Sequence, residues 1–104
     1  MGLITAKLRV GGSEFDIFVE LTTGGKAALI VPAAAERMLK LGEEKEISVL
    51  IPEPDEKSNR AHTAVVRIVK KNELHDGDGQ QVVVVTFDPN NIKHSWEPVQ
   101  EGEA

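Results

Sequence analysis

The feature that most constrains the fold is a train of short apolar segments separated by turn chemistry. Ile47-Ser48-Val49-Leu50-Ile51 runs into Pro52, Ala64 to Val69 follows a polar stretch, and Gln81 to Phe87 follows an acidic, glycine-containing connection. Each segment has the length of a strand and is rich in β-branched residues, which fit a pleated surface better than a helix. Two upstream segments alternate with period two. Ile4, Ala6, Leu8 and Val10 alternate with Thr5, Lys7 and Arg9, while Phe15, Ile17, Val19 and Leu21 alternate with Asp16, Phe18 and Glu20. Such alternation marks half-buried strands. Ala27 to Val31 is a third, wholly apolar segment. Gly11-Gly12-Ser13 and Thr22-Thr23-Gly24-Gly25 supply turns between these, as expected of hairpins.

One helix is expected over about residues 32–41. Pro32 suits a first helical position, where its missing N–H costs nothing. Val31, Ala34 or Ala35, Met38 and Leu41 form an apolar stripe at helical spacing, and Gly42 stands where a left-handed C-cap residue belongs. Six strands and a short helix in a 104-residue chain predict one all-β domain with a small α element. The expected architecture is a closed or nearly closed six-stranded antiparallel barrel, because closure removes exposed strand edges. An open sheet with the helix on one face is the alternative. The core is expected over about residues 4–90, with an acidic tail over about 97–104. The four consecutive valines, Val82 to Val85, call for burial on both faces, or for a second element over one of them.

Composition excludes several functions. With 12 basic and 17 acidic residues the net charge is −5, a poor match for nucleic acid polymers or anionic membranes, which demand a positive field. Phe15, Phe18, Phe87 and Trp96 are the aromatic residues, too few for a base-stacking platform. The chain has no cysteine, so thiol catalysis and cysteine-ligated zinc are absent. No apolar run approaches the roughly 20 residues of a membrane span. The first residues lack the organisation of a signal peptide, and a cytoplasmic location is expected.

Candidate chemistry is sparse. His62, His75 and His94 lie far apart, without the i, i+4 spacing of helical metal ligands. His75-Asp76-Gly77-Asp78-Gly79 has the alternating carboxylates of a calcium loop but lacks its later bidentate glutamate, so a tight turn is the expected reading. Gly24-Gly25-Lys26 lacks the spacing of a phosphate loop. None of the serines at 13, 48, 58 and 95 sits in a nucleophile elbow, and no nucleophile–base pair is apparent, so an enzyme is not expected. Trp96 is expected to pack back on the barrel. The alternative is an anchor for a partner, a role for which tryptophan is favoured.

Three of these segments, in their order, resemble the PilZ domain. Leu41-Gly42 followed by Ile47 to Pro52 resembles that family's leucine-glycine, apolar strand, proline element. Ala64-Val65-Val66-Arg67 resembles its alanine/glycine-x-valine-x-arginine strand, and Val83 to Asp88 its closing strand. The resemblance covers roughly residues 4–90 and implies a six-stranded antiparallel barrel. Family members that bind cyclic di-GMP carry Arg-x-x-x-Arg before the first strand and Asp/Asn-x-Ser-x-x-Gly after the second. Paired guanidiniums grip guanine and phosphate, and the small residues allow close backbone approach. Here Glu20-Leu21-Thr22-Thr23-Gly24-Gly25 stands at the second motif: Glu20, Thr22 and Gly25 keep its spacing, with the first two residue types changed. The arginine pair is missing, and Lys7 and Arg9 lie within the strand instead. The resemblance therefore implies a non-catalytic signalling or adaptor domain without a cofactor. It would work through a protein partner, which could be a second copy of itself. The alternative is a cyclic di-GMP sensor with a reduced site built from Arg9, Glu20, Thr22, Gly24 and Gly25, its arginines completed by another chain.

Overall fold

In a computed structural model, residues 3–22, 24–54, 57–73 and 79–98 are described. The strands are β1 (Ile4–Val10), β2 (Ser13–Thr22), β3 (Lys26–Val31), β4 (Glu44–Pro52), β5 (Ser58–Glu73), β6 (Gln81–Thr86) and β7 (Lys93–Pro98). The sheet order is β4-β1-β2-β3-β6-β5-β7, and β4 also pairs with β5. That extra pairing closes β1, β2, β3, β6, β5 and β4 into a six-stranded antiparallel barrel, with β7 as an added strand.

Local sequence explains the closure. Val10 pairs with Ser13, so β1 and β2 are joined by the two residues Gly11 and Gly12, with φ of +58° and +83°. Positive φ at both positions gives the primed turn whose twist matches a tight hairpin. Alternation then directs one face of each barrel strand inward. Leu8, Ile17, Leu29, Val31, Ile68, Val83 and Val85 are all at most 2% exposed. Val82 and Val84, the other half of the valine run, lie half-buried on the outside.

The helical element is shorter than its sequence pattern implies. Helix α1 spans only Ala33–Glu36, and residues 37–41 turn without helical continuation. The apolar stripe therefore does not extend to Leu41, which is 61% exposed, and Leu39 is the residue buried in the core. Ala35 and Leu39 close one end of the barrel, and Met38 packs toward the β1–β2 turn, its Cε lying 2.7 Å from where a Cβ on Gly11 would stand.

Strand β5 is also longer than its apolar core of Thr63 to Lys70, because it serves two neighbours on one flank. Residues 67–73 pair with β6 and residues 58–63 with β7. A bulge at Val69 adds one residue between Ile68, opposite Val85, and Lys70, opposite Val84. A bulge bends its strand and re-aims the side chains beyond it. Lys71 thereby faces inward beside buried Val83, where its Nζ lies 2.8 Å from Glu36 Oε2 and donates to the Glu36 carbonyl at 3.2 Å. This ion pair fastens α1 across the sealed end.

The expected turn over residues 75–79 lies outside the described residues except for Gly79, and the tail beyond residue 98 lies outside them entirely. Among the described residues no helix is long and apolar enough to cross a membrane.

Candidate functional site

The end of the barrel opposite α1 is hollow. The β2–β3 turn, the segment Phe87–Ile92 and the ends of β4 and β5 ring a mouth that leads to a cavity of about 360 Å³. Its wall is apolar, built from Val19, Leu29, Val49, Ile51, Ala64 and Phe87 among others, and Leu21 at the rim is 49% exposed. At about 24 cal/mol per Å³ of unfilled core, a sealed void of this size would forfeit on the order of 9 kcal/mol. That is comparable to the whole stability of a small domain. The opening lowers that cost, but among the described residues the wall offers water few polar partners.

Among the described residues His62 is the one imidazole on the wall, and its ring meets that of His94 edge-to-face at 4.8 Å between centroids. Burial, then repulsion from His94 and Arg60, lowers the His62 pKa below its ordinary value, with Glu53 opposing. Thr22 also reaches the mouth, but its hydroxyl is engaged with the Lys26 carbonyl at 2.8 Å.

The residues singled out from the sequence do not form one site. Thr22, Gly24 and Gly25 lie at the open end. Arg9 pairs with Glu14 near the other end of the hairpin. Eight residue steps along β2 separate Glu14 from Thr22, about 26 Å at roughly 3.3 Å per residue. Glu20 lies on the outer face opposite Ala28.

Arg9 is also fully engaged. Its Nε donates to Glu14 Oε1 at 2.9 Å, and its Nη1 and Nη2 reach the two Glu97 carboxylate oxygens at 2.9 and 2.8 Å. These hydrogen bonds, Glu97 first and Glu14 second, raise the Arg9 pKa. The cleft of about 290 Å³ that Arg9 lines also contains Glu14 and Glu46, carboxylates that repel a phosphate.

Gly25 has a structural role. Its φ is +73°, its carbonyl accepts from the Phe87 N–H at 2.8 Å, and a Cβ there would stand 2.4 Å from the Phe87 carbonyl oxygen. Glycine is what allows the turn to seat against the segment after β6.

Strand β7 had no counterpart among the six strands expected, and its residues explain why. Lys93-His94-Ser95-Trp96-Glu97 has no apolar alternation, and its single aromatic signal was open to two readings. Trp96 does not pack into the barrel. It is 59% exposed, with the Arg60 guanidinium 4.6 Å from its ring centre. The pairing of β5 with β7 puts Arg60 opposite Trp96 and His62 opposite His94 on one face. Among the described residues the far edge of β7 pairs with no strand.

Among the described residues no nucleophile is paired with a base. Ser48 Oγ lies 2.7 Å from Thr63 Oγ1 rather than beside a base. Among the described residues no three His, Asp or Glu side chains converge as a metal site. The chain matches no protein-family model, no curated protein and no solved structure.

Proposed function

We propose that this chain is a non-catalytic, PilZ-like signalling or adaptor domain that acts through protein contacts made at β7. The observation that carries the reading is the edge strand itself, with Trp96 exposed and backed by Arg60. An unpaired edge is a template for another strand, and an exposed tryptophan held by a guanidinium is a typical interface anchor.

The sequence of β7 favours a second copy as the partner. Antiparallel pairing about Ser95 would set Lys93 opposite Glu97 of the copy and His94 opposite Trp96. Opposite charges facing one another across strands are favourable. Engagement of Arg9 by two carboxylates, and its separation from Thr22 to Gly25, speak against cyclic di-GMP as a ligand of a single chain.

Sedimentation velocity over a concentration series tests the self-pairing. A dimer weakened at least tenfold by Trp96→Ala, and also by Lys93→Glu, is expected. A chain that stays monomeric at hundreds of micromolar refutes it. Calorimetric titration with cyclic di-GMP is expected to show no heat, and micromolar binding would overturn the adaptor reading.

A further inference from the structure

We propose that the hollow end of the barrel is a binding site for an uncharged aliphatic molecule carrying one hydroxyl or carbonyl group, with the chain buried among the strands and the polar group at His62. This goes beyond the contacts assigned to β7 and does not depend on them.

Three observations converge on the site. The first is asymmetry. One end of the barrel is filled by Ala35 and Leu39 and fastened by the Lys71–Glu36 pair, whereas the other holds a cavity of about 360 Å³. Ligand pockets begin at roughly 300 Å³. A dry apolar cavity of roughly 150 Å³ accepts benzene. The same proportion gives this one room for about ten to fourteen carbon atoms, an extended or folded chain rather than a nucleotide.

The second observation is the chemistry of the wall. Among the described residues no Lys, Arg, Asp or Glu side chain lines the cavity, so an ionised ligand would find no counter-charge among them. The Thr22 hydroxyl already donates to Lys26. Among the described lining residues this leaves His62 as the side chain able to orient a ligand. A neutral imidazole offers one donor and one acceptor, which suits a hydroxyl or a carbonyl. Its lowered pKa keeps it neutral at pH 7.

The third is access. Leu21 and the half-buried Ile92 flank the mouth, an apolar lip at the place where an aliphatic chain would enter. Gly25 and Pro89 hold that lip in shape through the contact of the β2–β3 turn with the segment after β6.

The test uses the intact chain with 1-decanol, decanoate and decane as probes, followed by methyl NMR and calorimetry. Decanol is expected to bind at micromolar to low-millimolar concentration. Shifts should fall on Leu29, Val49, Ile51 and Val85 rather than on the outer Val65 and Val69. Decanoate at pH 7.5 should bind at least tenfold more weakly. His62→Ala should weaken decanol several-fold and leave decane unchanged. Ala64→Phe fills the cavity and should abolish all three while raising the melting temperature. If that variant fails to fold, Ala64→Leu provides the same test with a smaller group, expected to weaken every probe. Absence of decanol binding at its solubility limit, shifts confined to the outer face, or decanoate binding as tightly as decanol would each overturn the proposal. So would undiminished binding by a folded Ala64→Phe protein.

Discussion

Replacing Lys71 by methionine should destabilise the barrel by about 2 kcal/mol, a value bracketed by two regimes. Exposed ion pairs contribute roughly 0.2–1 kcal/mol. Removing one member of a fully buried pair costs roughly 3–5 kcal/mol. The Lys71 and Glu36 side chains are 21% and 24% exposed, so solvent screens them only in part. Lys71 also serves the Glu36 carbonyl at the end of α1, a hydrogen bond that methionine cannot make. Methionine keeps most of the aliphatic stem, so the loss reports the ammonium rather than packing. Glu36→Gln should cost about 1 kcal/mol, and the double variant should recover about 1 kcal/mol of the summed losses. At about 4–8 °C per kcal/mol for a domain of this size, Lys71→Met lowers the melting temperature by roughly 8–16 °C. Urea denaturation followed by circular dichroism measures all three. A Lys71→Met protein within 0.5 kcal/mol of the parent, or a cycle with no coupling, would show that the bulge at Val69 does not aim this side chain as described.

The remaining predictions concern packing, the turn and pH. Leu39→Ala should cost about 2–5 kcal/mol and Leu41→Ala less than about 0.5, since only the first is buried; equal losses in urea melts would restore a longer helix. Gly25→Ala should cost at least about 2 kcal/mol through strain at positive φ and the clash with the Phe87 carbonyl, whereas Gly12→Asn should stay within about 1 kcal/mol; thermal melts compare them. Because His62 has a lowered pKa in the folded chain, the unfolded chain binds its proton first on acidification. Its contribution is intact above the ordinary value near 6.5 and declines as pH falls below it. The urea midpoint of His62→Gln should therefore change less between pH 7.5 and 5.5 than that of the parent, and parallel changes would remove His62 from the account.

The barrel was legible in the sequence because each of its strands must bury one face, and burial of one face writes period two into the chain. Ile4 to Val10 and Phe15 to Leu21 show it plainly, and their pairing partners follow from the short turns between them. Strand β7 was not legible because it pairs outside the barrel, and the first residues of β5 were not because they lie between β4 and β7 and carry mixed polar side chains. Asn59, Arg60, His94 and Trp96 are placed by backbone pairing rather than by an apolar face, so no periodicity announces them. The helix misled for a related reason. Met38 and Leu41 have helical spacing, but a single turn at Ala33–Glu36 suffices to cap the barrel before the chain must return to β4. The candidate site divides in the same way. Glycine spacing marked the turn at Thr22 to Gly25, but the sequence could not say that Arg9 sits at the other end of its hairpin. The cavity has no sequence signature at all. It comes from Ala27 and Ala64, small side chains on strands two apart in the barrel order, which leave the open end underfilled.

Strand β5 carries one more consequence. Its far half completes the cylinder with β6, while its near half lends the same flank to β7. The seam that shuts the cylinder is formed by β4 and β5 themselves, with that last strand on the other flank of β5. Lys93 to Pro98 is thus a buttress laid on a vessel already shut, tied to β5 along their shared ladder and to β1 through the Arg9–Glu97 pair.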